Sequence, residues 1–208
     1  RLIAGGRIFE PERLVDVILV AEDDDDLVCR IELALEQHLD LRRRHRRDLL
    51  EQRVVAVRLE AERRDLAVKI FARAICVGLG AASVREIDRL NIYHASTLAI
   101  RRAIGKLRIV PHYVLLDGLP IRTLEIEHRA IVGGDATCYS IACASIIAKV
   151  TRDRLMVSLA RRYPAYLWER NVGYGTSAHL SALTSAGPTV HHRKSFGPVA
   201  HCKIQFPS

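Results

Sequence analysis

From Ile75 onward the chain switches repeatedly between short apolar runs and helical spacing. Ile75-Cys76-Val77-Gly78-Leu79-Gly80 is a short apolar run that predicts a strand. Ser83 with Glu86 three residues on has the spacing of a capping box and predicts a helix start. Asn91 is placed to cap a second helix over 92–106, in which Ile92, Ala95, Ala99 and Ala103 share a face. Pro111 stops what precedes it, and Tyr113-Val114-Leu115-Leu116 predicts a strand that delivers Asp117-Gly118. Ala130-Ile131-Val132 predicts another, delivering Gly133-Gly134-Asp135. A long helix from about Ser140 to Arg162 follows, stopped ahead of Pro164. A loop with Trp168, Gly173 and Gly175 comes next, then a helix near 177–185 and a tail broken by Pro188 and Pro198. Strands alternating with helices predict a layered α/β fold.

The first part of the chain is patterned differently. Leu14 to Ala21 is an apolar run, interrupted by Asp16, that predicts a strand ending in the acidic run Glu22, Asp23, Asp24, Asp25, Asp26. From Ile31 to Ala72 the residues favour helix but carry only a thin apolar stripe, which fits an exposed helical appendage or sequence not selected to fold. The basic block Arg42, Arg43, Arg44, Arg46 and Arg47 reads as a solvated face. The expected division is a divergent segment over 1–73 and an α/β domain over 74–208.

Composition narrows the class. At 208 residues and 23.4 kDa the chain can bury one domain's core. No run of eighteen apolar residues and no signal-peptide pattern occur, so neither a spanning helix nor a leader is expected. The five cysteines show no C-x-x-C spacing, which argues against a zinc ribbon or disulfide scaffold and for a reducing cytoplasm. Residues 1–74 hold 15 Lys and Arg against 16 Asp and Glu, whereas residues 75–208 hold 17 against 8, a net +9. Nine of the eleven Tyr, Phe and Trp residues lie in that basic part. Such a surface suits a polyanion, although an arginine-rich composition alone gives the same count. The chain opens on Arg1 and its one methionine is Met156, the expectation for a fragment or processed product.

Two predicted strands end on an aspartate beside glycine, Asp117 and Asp135. Carboxylates at neighbouring strand ends can converge on hydrated Mg²⁺, and a pair of such ions can promote phosphodiester cleavage. Taken singly, either aspartate beside its glycine is better read as ordinary turn chemistry after a strand. His191 and His192 lack metal-ligand spacing to a cysteine pair, so no zinc site is expected.

The segment Ala130-Ile131-Val132-Gly133-Gly134-Asp135-Ala136, with Ser140-Ile141-Ala142-Cys143-Ala144-Ser145-Ile146-Ile147-Ala148-Lys149-Val150-Thr151-Arg152-Asp153, resembles the signature of bacterial ribonuclease HII, a type 2 ribonuclease H. Glu86–Ile92, Val114–Gly118, Arg162–Pro164, Gly173–Leu180 and His191–Phe196 look like further blocks of that family, in its order, from about Ala74 to Val199. The resemblance implies a ribonuclease-H-like mixed sheet flanked by helices, with a helical C-terminal portion. It implies an endonuclease, using Mn²⁺ or Mg²⁺, that nicks the ribonucleotide-containing strand of RNA–DNA hybrids and of duplex DNA with a single ribonucleotide. Asp117 and Asp135 match two of the family's four metal-binding carboxylates. Tyr174 matches the tyrosine that stacks at the deoxyribose beside the ribonucleotide. A monomer and no membrane are the family-like defaults. Within the signature helix, Arg152 and Asp153 read as a surface pair and Lys149 as a possible phosphate contact.

The family's N-terminal Gly-x-Asp-Glu-x-Gly-Arg-Gly element, which carries its other two acids, is not found in residues 1–74. Gly133 and Val172 stand where relatives commonly have lysine. Glu22 or Asp23, after the predicted strand 14–21, are the candidates to replace the missing acids. With only Asp117 and Asp135, a second divalent ion faces undercompensated repulsion, so cleavage is expected to be very weak or absent. A frame shift upstream would explain the missing element and the composition change together. The alternatives are a catalytically inactive hybrid-binding remnant, or a chain that cannot fold because central strands are missing.

Overall fold

A computed structural model describes residues 2–8, 14–20 and 49–201, with side chains from residue 60. Five strands form one sheet in the order β3-β2-β1-β4-β5. They are β1 Leu2–Ile8, β2 Leu14–Val20, β3 Cys76–Ala82, β4 Tyr113–Asp117 and β5 His128–Ile131. β1, β2 and β3 run antiparallel to their neighbours, while β1 pairs in parallel with β4, and β4 with β5. The mixed α/β sheet expected from the sequence is therefore present. The central strands expected to be missing are supplied by β1 and β2.

Helices cover both faces. α1 spans Leu49–Arg73, α2 Val84–Ile104 and α3 Tyr139–Ala160. α2 packs on one face because β3 carries glycine where the helix backbone comes closest. A Cβ on Gly80 would lie 1.9 Å from the carbonyl oxygen of Ala99, and one on Gly78 2.2 Å from that of Ala103. Ala95, Ala99 and Ala103, the predicted face, are fully buried there. The helix begins as the spacing predicts: Ser83 Oγ accepts from the Glu86 amide, and the Ser83 amide donates to the Glu86 carboxylate at 2.8 Å. Asn91 recaps the helix midway, with φ +65°, and its Oδ1 accepts from the amides of Tyr93 and His94.

α3 lies on the opposite face, against β1 and β2, and α1 packs on α3. Cys143, Ala144, Ile146, Ile147 and Val150 meet Ala67 and Ile70 of α1 in one cluster, with Val77 and Leu79 of β3 beside them. β4 is buried on both faces, hence its unbroken Val114-Leu115-Leu116 run. Beyond α3, short helices α4 Trp168–Asn171, α5 Ser177–Ala186 and α6 Gly197–Ala200 close a second cluster around Met156, Tyr166, Trp168, Leu183 and Val199. No helix among the described residues is long and apolar enough to cross a membrane.

Candidate active site

Asp117 is the last residue of β4, half-buried where the parallel strands end. Beyond β5 the chain turns through Gly133, at φ +67°, into a single 3-10 turn, Gly134–Ala136, that carries Asp135 on the surface. The Gly134 amide donates to Asp117 Oδ1 at 2.9 Å. One hydrogen bond thus joins the first acid to the residue next to the second. The turn is anchored from below, since Gly134 packs on the buried Ile141 of α3.

The neighbouring strand decides what else can reach these acids. β1 pairs with β4 up to Gly5 beside Leu116, so the next position along β1, level with Asp117, is Gly6. Glycine has no side chain to contribute. Glu22 and Asp23 lie outside the described residues. The strand before them runs the other way: Val20 pairs with Ile3, and Ile3 with Val114, at the opposite end of β4 from Asp117. Among the described residues, no group of three or more His, Cys, Asp or Glu is disposed to hold a metal ion.

Tyr174 sits exposed on a loop over α3. Lys149 Nζ donates to its hydroxyl at 3.3 Å and lies 5.0 Å from the ring centroid. The Arg152 guanidinium lies 5.4 Å from the same centroid. Asp153 ties the two cations together, at 3.0 Å from Lys149 Nζ and 3.3 Å from Arg152 Nη1. This corrects the reading of Arg152 as half of a surface pair: its side chain is completely buried. Burial pulls its pKa down to about 10 against the pull of Asp153, so it stays charged at neutral pH. The electron-rich face of Tyr174 thereby rests on a cationic base.

A family model for ribonuclease HII matches residues 31–199. The chain belongs to the ribonuclease HII family. Over 144 residues it is 56% identical to the ribonuclease HII of Granulibacter bethesdensis, covering 68% of this chain and 66% of that protein. It is 50% identical over 144 residues to that of Gluconobacter oxydans, covering 68% and 70%. The chain thus spans about two thirds of the length of these relatives. Among solved structures, the ribonuclease H2 from Pyrococcus horikoshii matches at TM-score 0.66 and 18% identity over 96% of this chain and 95% of that one. A chain of the PCNA:RNase HII complex from Archaeoglobus fulgidus matches at TM-score 0.62 and 16% identity, over 93% of each. Both likenesses concern the fold.

Against the ribonuclease HII pattern, the two lysine replacements fall on unusual backbone. Gly133 occupies the left-handed region, and so does Val172, at φ +41°. A β-branched residue is strained there. Among the described residues, Asp117 and Asp135 would suit one hydrated divalent ion better than two. Two carboxylates with water complete an octahedron readily, but they carry half the charge that two ions bring.

Sequence reasoning passed over a buried histidine pair behind Tyr174. Trp168 Nε1 donates to His179 Nε2 at 3.2 Å, and His192 Nε2 lies 3.2 Å from the same atom. The Thr189 amide donates to His192 Nδ1 at 2.9 Å, and His179 Nδ1 faces the Tyr174 carbonyl at 3.0 Å. Both rings are buried. Burial, reinforced by His179 and His191, pushes His192 down to about 4, and burial lowers His179 as well. The signal available in the sequence was Tyr174, His179 and His192 inside blocks already matched to the family, with Trp168 in the loop just before them.

Proposed function

We propose that this chain recognises RNA–DNA hybrids and duplex DNA carrying a single ribonucleotide. It cuts the ribonucleotide-containing strand as a divalent-metal-dependent endonuclease, far more slowly than a complete four-carboxylate site would. The observation that carries this reading, beside family membership, is the hydrogen bond from Gly134 to Asp117, which ties the acid ending β4 to the turn that carries Asp135.

Asp117 and Asp135 would hold a hydrated Mg²⁺ or Mn²⁺. Such an ion supplies a polarised water and compensates phosphate charge. The rest falls to the protein's own groups. Tyr174 offers its exposed face to the sugar beside the ribonucleotide, and Lys149 and Arg152 beneath it fix the ring while adding positive potential. The net +9 over residues 75–208 attracts the phosphate backbone in a salt-dependent manner. The protein works as a monomer in a reducing cytoplasm, a reading supported by free thiols at Cys76, Cys138 and Cys143.

One observation favours a second reading. Gly6, level with Asp117, brings no side chain from β1 beside it, and in this reading the chain acts as a hybrid-binding module without cleavage. A labelled duplex with one ribonucleotide, incubated with Mn²⁺ or Mg²⁺ beside an Asp117→Asn control, separates the two. A slow, metal-dependent nick at the ribonucleotide, lost in the control, supports the endonuclease. Binding without a nick supports the module. A folded protein that neither binds nor cuts the duplex overturns both.

A further inference from the structure

The hydrogen bonds around His179 admit only one arrangement of protons. The indole N–H of Trp168 can only donate, so His179 Nε2 is an acceptor and the ring proton sits on Nδ1. From there it donates to the Tyr174 carbonyl, which can only accept. His192 is fixed in the opposite sense. Its Nδ1 accepts from the Thr189 amide, so its Nε2 carries the proton and shares the single Nε2 lone pair of His179 with the Trp168 N–H. The relay therefore runs in one direction, from Thr189 through His192 to His179 and out to the backbone of Tyr174. Thr176 Oγ1 accepts from the His179 amide at 3.3 Å and caps α5, which fixes the base of the imidazole.

Tyr174 is thereby held at two points by unlike means. Its ring rests on Lys149 and Arg152, and its carbonyl accepts both from His179 Nδ1 at 3.0 Å and from the Thr176 amide at 2.7 Å. The Tyr174 amide in turn donates to the Asn171 carbonyl at 2.8 Å. Gly173 and Gly175 bracket the tyrosine, Gly173 at φ +88°, and a Cβ on Gly175 would meet nothing within 4 Å. A loop with glycine on both sides does not preset the direction of the side chain between them. The Thr176 amide closes the turn on the Tyr174 carbonyl from within the loop, and the His179 imidazole is the side chain that ties the same oxygen to the buried core.

We propose that His179 is a positioning residue for substrate recognition: its Nδ1–H fixes the Tyr174 carbonyl and hence the presentation of the tyrosine ring to a ribonucleotide–deoxyribonucleotide junction. This rests on the reading of Tyr174 as the junction contact. The imidazole touches no substrate. It acts through Tyr174, and Trp168 and His192 act by holding its tautomer.

Two near-isosteric replacements divide the histidine's two jobs. Glutamine places a carbonyl oxygen near the Nε2 position, so His179→Gln keeps the acceptor for Trp168 and His192 but has no donor for Tyr174. Asparagine places an amide nitrogen near the Nδ1 position, so His179→Asn keeps the donor to Tyr174 and leaves the two buried donors without their acceptor. The readout is the ratio of affinities for a duplex with one ribonucleotide and the all-DNA duplex of the same sequence, by fluorescence anisotropy in Ca²⁺, beside thermal melts. His179→Gln is expected to melt near wild type and lose roughly fivefold or more of the ratio. His179→Asn is expected to melt lower and keep the ratio. A ratio that follows the melting temperature, or a His179→Gln protein that discriminates like wild type, overturns the assignment. Should the Asn variant not fold, the Gln variant against wild type still decides. If wild type and Tyr174→Ala show the same ratio, the reading of Tyr174 fails first and the inference falls with it.

Discussion

Asp117 Oδ1 accepts from the Gly134 amide, in the turn carrying Asp135, at 2.9 Å. Asparagine retains that oxygen, so Asp117→Asn is expected to fold and melt within a degree or two of wild type. The lost charge appears only with metal. Millimolar Mn²⁺ is expected to raise the melting temperature of wild type and not that of the variant, as selective binding to the folded state requires. An equal rise in both proteins would remove Asp117 from the metal site.

The close approach of α2 to β3 gives the sharpest stability prediction. In Gly80→Ala the new Cβ meets the Ala99 carbonyl oxygen at 1.9 Å and the Ala103 amide nitrogen at 2.6 Å. Both are backbone atoms that no rotamer change can move. The variant is expected to lose about 3 kcal/mol or more in urea unfolding, or to be recovered only as insoluble material.

The buried histidines set a pH dependence. His192 is pushed from 6.5 down to about 4 in the folded protein, first by burial and then by His179 and His191. Between those values the unfolded chain binds more protons than the folded one, so stability is full above about 6.5 and falls as the pH drops. His179, lowered by burial, acts in the same direction. Acidic groups lowered by folding, Glu86 and Asp88, lose their contribution only below 4.5 and 3.8 respectively. Urea melts at pH 7 and pH 5 should therefore differ by about 2 kcal/mol from the histidines. In His192→Gln the difference should shrink markedly.

Much of the fold was legible because local chemistry and packing agree from residue 75 onward. The Ser83–Glu86 box, the Asn91 cap, the alanine face of α2 and the aspartate ending β4 stand where their patterns place them, whereas Asp135 lies in a 3-10 turn beyond β5 rather than at its end. β1 was not legible, because Leu2–Ile8 carries two adjacent glycines, which strands disfavour, and sheet neighbours on both sides compensate for them. The thin stripe of α1 was real: among its described side chains only Ala67 and Ile70 are buried. Arg152 misled, since a charged residue in a helix is usually exposed, whereas here the half-buried Asp153 pairs with it and the exposed ring of Tyr174 covers it. The histidine relay depends on contacts between residues up to 24 positions apart, from Trp168 to His192, and no spacing rule reports which ring nitrogen meets which group.

Val172 offers a gain-of-function test. It sits at φ +41°, strained for a β-branched residue, at a position where the family resemblance implies lysine. Val172→Lys removes the branch and restores a positive charge beside the Gly173–Gly175 loop. Duplex binding is expected to tighten about threefold at low salt, with the slope of log affinity against log salt steeper by about one. An unchanged slope would place residue 172 away from the phosphate path.

The account turns on how many metal ions the site accepts. Mn²⁺ bound per chain can be counted directly, from the loss of the free-ion electron paramagnetic resonance signal on titration with wild type and with Asp117→Asn. Two strand-end carboxylates, with glycine level with Asp117 on the neighbouring strand, predict one ion per chain that vanishes in the variant. Two ions bound in wild type, both lost in Asp117→Asn, would contradict the account and show that acids elsewhere in the chain complete the site.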